Sequence, residues 1–276
     1  MRDKLVCIGV IILTLVFAIA ASSMTQKEAR AELKKMGIAY DKPNFLAYAG
    51  IDDIKVVTLF LDAGMSPNTI GPNLPEKNND SGLTVLMTAA MGIDTAAVKT
   101  ALAYSDKFDQ EYVNAAKQAM SKITTGGETI EVVNLLLARG ANVNAKTNTG
   151  YTALMAAGMR GQTEVAKALI AKGAEVNART DTGLTPLMLP ARLGYTSLVK
   201  ELVEHGAEIN EQKNEYRMTP LMLAAMKGNT EVVQFLVDKG AKVDLKNKDG
   251  ETALMLAKEQ KHLDIVEILK QAGAKK

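Results

Sequence analysis

Five times this chain writes nearly the same line: GLTVLMTAA from Gly82, GYTALMAAG from Gly150, GLTPLMLPA from Gly183, RMTPLMLAA from Arg217 and GETALMLAK from Gly250. The threonines of the last four lines, Thr152, Thr185, Thr219 and Thr252, stand 33, 34 and 33 residues apart. In each of these units a glycine follows the threonine after 21 residues, at Gly173, Gly206, Gly240 and Gly273. A chain that repeats at this period builds no single central core. It predicts stacked units, each too small to bury its apolar face without a neighbour.

The residue types within a unit say what it is made of. Thr185 and Thr219 are good N-caps, and Pro186 and Pro220 follow them where a helix has no hydrogen bond to lose. Leu, Met and the small pair Ala224 and Ala225 then give a short inner helix that a neighbour can approach closely. Gly161, Gly194 and Gly228 stop it. A second, outer helix carries apolar residues at i, i+3 and i+4 spacing, as in Val232, Val233, Phe235, Leu236 and Val237, with Gly240 just past its end. Stretches such as NAKTNTG and NARTDTG read as tight turned fingers on one edge. Helix, turn, helix, finger is one unit, and the fold class is an all-α repeat solenoid. Pro190 replaces the first alanine of the small pair inside an inner helix, which predicts a lost hydrogen bond and a bend.

The Gly-x-Thr-Pro-Leu start, the Ala-Ala pair, the glycine before the second helix, the Val-Val/Leu-Leu stripe and the closing Gly-Ala-x-Val-Asn resemble the ankyrin repeat. The resemblance implies a stack of helix pairs with β-turn fingers whose partners dock on the concave face of fingertips and inner helices. Met87, Met155, Met188, Met222 and Met255 stand where that family usually has histidine. They read as flexible filler between stacked inner helices, the alternative being a surface that scavenges oxidants as methionine sulfoxide.

The array extends upstream. VVTLFLDAGMSPN around Gly64 is another outer helix, and 21 residues before that glycine lies Pro43, opening an inner helix with Phe45, Ala47 and Ala49. From Gly64 to Thr84 is 20 residues where Gly140 to Thr152 is 12, so the stretch TIGPNLPEKNND predicts an enlarged, loose finger. From Thr84 to Gly140 is 56 residues where a regular unit has 21. Two readings stand. In one, a degenerate third unit lies here, after an outer helix over residues 95–104 and with an inner helix from Asp109 through Tyr112, Ala115 and Ala116, giving about seven units. In the other, a helical insertion sits inside one of six units. Thr25 and Glu28 have capping-box spacing, and with Leu33, Met36, Gly37 and Ile38 they predict a capping helix over residues 25–36. At the far end, Lys261 replaces the stop glycine, and Glu259, Glu267 and Lys270 suit the polar face an array needs there.

The N-terminus is a different kind of sequence. Arg2 and Lys4 precede an apolar run from Leu5 to Ala21, and Ala18-Ile19-Ala20 supplies a small-x-small cleavage site. The organisation expected is a signal peptide over residues 1–20, a linker and capping helix over 21–42, and the repeat array over 43–276. The alternative is an uncleaved anchor, at the short limit for spanning a bilayer, and only on that reading does a membrane enter. Both export the array. Cys7 is the only cysteine, so the mature chain has neither a disulfide nor a thiol, which suits a bacterial periplasm.

Net charge is +2, and the leader removes two basic and one acidic side chain, so nothing demands nucleic acid. Catalysis has no candidate. Of the two histidines, His205 ends an outer helix, where a cation suits the dipole, and His262 begins one. Neither has a second histidine or a cysteine at ligand spacing. The finger DLKNKDGETALM puts Leu245 and Leu256 where a calcium loop requires carboxylates, and no phosphate loop or nucleophile elbow appears. The chain is expected to be non-enzymatic, without cofactor or metal.

Function then falls to the surface. Carried over by position, the concave face implied by the resemblance holds Lys146, Tyr151 and Arg160 in one unit, with Asn148 and Met159. Arg179, Leu184 and Arg192 follow in the next, with Asp181 and Leu193. Lys213, Tyr216, Arg217, Met226 and Lys227 come from the third, with Glu215, and Lys246 and Lys248 from the last, with Glu251. Arg160, Arg192 and Lys227 recur at nearly one position beside Lys146, Arg179 and Lys246, which predicts a basic stripe. The expected partner is a protein with an acidic patch, with Tyr216 and Arg217 as anchors, bound by a monomer. An inhibitor or immunity protein against a secreted toxin or envelope enzyme is the alternative.

Overall fold

In the computed structural model, residues 24–50, 53–71, 84–91 and 130–275 are described. Thirteen helices make up these residues: α1 Gln26–Lys35, α2 Lys42–Gly50, α3 Ile54–Asp62, α4 Val85–Met91, α5 Ile130–Ala138, α6 Ala153–Arg160 and α7 Thr163–Ala171. They continue as α8 Met188–Leu193, α9 Thr196–Glu204, α10 Pro220–Lys227, α11 Thr230–Asp238, α12 Ala253–Glu259 and α13 Leu263–Gln271. None is long and apolar enough to cross a membrane; the apolar run before Ala21 lies outside the described residues.

Local chemistry sets the ends of these helices. The hydroxyl oxygens of Thr84, Thr152, Thr219 and Thr252 accept from the amides of Met87, Met155, Met222 and Met255 at 3.1–3.3 Å. At the front, Thr25 and Glu28 form the capping box that their spacing predicts, and Ile38 donates back to Leu33 at 2.9 Å beyond a left-handed Gly37. Arg30 lies 4.5 Å over the ring of Tyr40, and both side chains donate to the carbonyl of Ala63, tying α1 to the first unit.

Thr185 departs from the pattern. Helix α8 starts only at Met188, whose amide donates to the backbone carbonyl of Thr185, leaving the threonine hydroxyl buried without a hydrogen-bond partner. The cause is Pro190, which has no amide to give to Pro186 one turn earlier. The expected lost bond is thus taken up by shortening the helix. Across the stack, Gly158 makes room for the ring: a Cβ there would lie 3.3 Å from Pro190 Cγ.

The helices stack in two layers. Inner helices follow one another as α2, α4, α6, α8, α10 and α12, and outer ones as α1, α3, α5, α7, α9, α11 and α13. Alanines and methionines fill the seam between inner helices: Met87, Met155, Met188 and Met222 are buried, while Met255, with no unit beyond it, is 44% exposed. Each finger base clamps the next outer helix. Asn144 donates to the Gly173 carbonyl at 2.9 Å and accepts from the Glu175 amide, and Asn177 does the same with Gly206 and Glu208. A third class of contact bridges the glycines that end the inner helices. Tyr195 packs over Gly161, Asn229 over Gly194 and His262 over Gly228, where a Cβ would come within 2.7 Å of each. Asn229 also donates to the carbonyls of Ala191 and Arg192, closing α8 from the neighbouring unit.

These contacts show how the described helices on either side of the region after Thr84 are arranged. Asn68 clamps Gly140 and Asn142 at 3.2 and 2.7 Å, and Arg139 pairs with Asp62 at 2.9 Å, so α5 lies directly beside α3. Helix α4 packs on both α5 and α6. Thus α4 and α5 belong to one unit, and the described residues form six helix-pair units. The expected helices at 95–104 and from Asp109, and most of the enlarged finger after Gly71, lie outside the described residues.

Candidate functional site

The concave face begins with the fingers. Thr147, Thr180 and Asn247 donate their backbone amides across the fingertip to Tyr151, Leu184 and Glu251 at 2.9–3.0 Å, closing a tight hairpin in each. Successive tips are joined by single backbone bonds, Asp181 to Thr149, Glu215 to Thr182 and Lys248 to Tyr216. The approach is close enough that a Cβ on Gly183 would stand 2.2 Å from the Lys213 carbonyl. Arg217 holds a positive φ of 53° at the fingertip position that Gly150, Gly183 and Gly250 occupy elsewhere. A side chain there costs about 1 kcal/mol relative to glycine. Gln212 steadies this finger by donating to the carbonyls of Arg217 and Lys246.

Several predicted site residues are exposed on this face, and others serve the fold. Arg160, Arg192, Lys213, Lys227, Lys246 and Lys248 are exposed, as are Arg217 and Tyr216, the latter at 60%. Tyr151 is half-buried and donates to the Met155 carbonyl, and Leu184 and Met226 are half-buried. Arg179 is engaged within the stack: its guanidinium pairs with Glu211 and, at 3.0 Å, with Glu208. Burial would raise the Glu211 carboxyl, but hydrogen bonds from the Lys213 amide and Arg179, together with the arginine charge, hold it below its ordinary value. Lys146 pairs at 3.2 Å with Glu175 on the next unit. These two cations therefore drop out of a continuous basic stripe. Arg192 also lies one residue earlier in its unit than Arg160 and Lys227, with Leu193 in their place.

Between the last three fingertips and the inner helices runs a groove of about 550 Å³. Its floor is apolar, with Leu184, Leu189, Met218, Leu223 and Met226 half-buried and Tyr216 at the lip. Its charged lining is Arg192, Glu215, Asp249 and Glu251. The structure thus brings together Leu184, Arg192, Glu215, Tyr216, Met226 and Glu251 of the predicted residues, and it leaves Arg160, Lys227 and Lys246 outside the groove. Leu189, Met218, Leu223 and Asp249 were not foreseen. A signal existed for two of them: the residue after the repeated methionine is Ala156 in one unit but Leu189, Leu223 and Leu256 in the next three.

Chemically the groove offers contact area, one guanidinium and three carboxylates. Among the described residues no group of three or more histidine, cysteine, aspartate or glutamate side chains could hold a metal ion. His205 donates through Nδ1 to the Glu201 carbonyl, 2.9 Å away, and His262 packs against Gly228, so both are built into helix ends. A family model described as ankyrin repeats (3 copies) matches residues 123–213 and 211–276. No curated protein matches the chain.

Proposed function

We propose, from the premise that this chain belongs to the ankyrin-repeat family, that it is an exported docking protein that holds a protein partner on its concave face. Ankyrin repeats are generally protein–protein interaction modules, and the family is typically non-enzymatic. The observation that carries the reading is the groove over the last three units: half-buried leucines and methionines form an open floor that the stack leaves uncovered. Such a surface stabilises a complex by its burial, and an exposed tyrosine at its lip is the residue type that anchors interfaces. Export rests on the residues that precede the array, Arg2, Lys4 and the run from Leu5 to Ala21. The chain acts as a monomer in this reading.

An acidic patch on the partner is supported by the exposed cations Lys213, Lys227 and Lys246, although Lys146 and Arg179 are occupied with carboxylates of the fold. Burial of four of the five repeat methionines leaves the oxidant-scavenging reading little accessible sulfur at that repeat position, and no observation favours an inhibitor over any other binder. The test is a photo-crosslinking amino acid placed at Tyr216 on the concave face and, as control, at Lys200 on the outer layer. One defined adduct from Tyr216, absent from Lys200 and lost in Met226→Glu, is the expected result. Equal adducts at both positions would remove the concave face from the account.

A further inference from the structure

We infer that the groove over the last three units receives an extended peptide segment in which a lysine or arginine stands beside an apolar side chain. This deepens the docking role proposed for the concave face. The floor accounts for the apolar half of the ligand: Leu184, Leu189, Met218, Leu223 and Met226 are each partly uncovered, and the cavity of about 550 Å³ holds several side chains. Charge complementarity selects the other half. Glu215, Asp249 and Glu251 line the groove against one cation, Arg192, which leaves two uncompensated negative charges beside apolar surface.

Two cations at finger bases are, by contrast, paired within the fold. Lys146 is matched by Glu175, and Arg179 by Glu208 and Glu211. The groove carboxylates have no such ion pair among the described residues. Only Glu251 is engaged by a side chain, accepting from Asn247 at 2.9 Å through one oxygen. A lysine or arginine has the shape this leaves open, because its aliphatic stem lies along an apolar floor while its head reaches a carboxylate. Tyr216 adds an exposed ring face on which such a cation can rest. Lys213, Arg217 and Lys248 lie on the same fingers but do not line the groove, so they set the field above it without filling it. An acidic segment entering the groove would meet three like charges, which is the more costly arrangement.

The experiment uses a displayed library of random heptapeptides as the probe, selected on the full chain and on three variants, one of them Met226→Glu. E215Q/D249N/E251Q removes the negative charge while keeping an acceptor for Asn247, and R192Q removes the one groove cation. On the wild type, heptapeptides pairing a basic with an apolar residue should be enriched. Their retention should fall about tenfold or more on the triple variant, given several charge contacts of modest individual strength, and rise on R192Q. Circular dichroism of the variants controls for unfolding. Enrichment of acidic peptides that R192Q abolishes would overturn the inference and leave concave-face docking intact. Enrichment that no groove substitution alters, Met226→Glu included, or no enrichment at all, would remove both.

Discussion

Gly158 and Pro190 face each other across two inner helices, and their substitutions should be strongly non-additive. Pro190→Ala restores an amide that can donate to Pro186 and lets the Thr185 hydroxyl cap the Met188 amide, two hydrogen bonds worth about 0.5–1.5 kcal/mol each. Against this stand two lost methylenes at about 0.8 kcal/mol each and about 0.4–1 kcal/mol from a freer unfolded chain. The single change should therefore be near neutral. Gly158→Ala brings a methyl to 3.3 Å from Pro190 Cγ and 3.4 Å from the Pro186 carbonyl. Overpacking of about 1–3 kcal/mol should cancel or exceed the roughly 1 kcal/mol that alanine normally adds to a helix. Together, the new methyl enters the space that the ring has left. The double variant should exceed wild type by about 1–2 kcal/mol, a coupling of about 1–3 kcal/mol. Urea unfolding of the four proteins measures it. Additivity within about 0.5 kcal/mol would refute the claim that the proline ring occupies the place of a glycine side chain.

Three further outcomes follow from single contacts. Asn229→Ala removes two hydrogen bonds to the Ala191 and Arg192 carbonyls and should cost about 1–3 kcal/mol in thermal unfolding, with exchange protection falling first in α8 and α9. Arg217→Gly relieves a positive φ and should raise stability by about 1 kcal/mol; if Arg217 anchors the partner, capture weakens while the melting temperature rises. Arg179→Met should destabilise by about 2 kcal/mol near neutral pH, since it leaves the Glu211 carboxylate buried without its cation. The Glu211 pKa is lowered in the folded state, so its contribution is present above the ordinary carboxylate range and is lost as pH falls through the folded value. The stability gap between wild type and this variant should accordingly shrink on acidification below about pH 4.5; a gap independent of pH would contradict the pairing.

Much of the fold could be read from the chain because its determinants are local. A threonine reaches an amide three residues away, a glycine ends the helix it follows, and the Thr25–Glu28 box closes within one turn, so caps and boundaries needed no knowledge of neighbours. The failure at Thr185 was half legible: Pro190 announced the missing amide, but only packing showed the helix shortening and Gly158 yielding the space. The candidate site divides in the same way. Position in the repeat placed Tyr216, Leu184 and Met226 on the concave face, while the fates of Lys146 and Arg179 depended on carboxylates roughly 30 residues away on the next unit.

The sequence by itself determined the period, the helix pairs and the capped ends. Tertiary structure decided which units touch: that α4 and α5 form one unit despite 38 intervening residues, that Lys146 pairs with Glu175 and Arg179 with Glu208 and Glu211, and that the acidic groove opens over the last three units. The physical reason is range. Caps and periodicity are set by hydrogen bonds within a few residues, whereas ion pairs, glycine contacts and the groove arise only when one unit is laid against the next, at an offset fixed by side-chain volumes that no local pattern encodes.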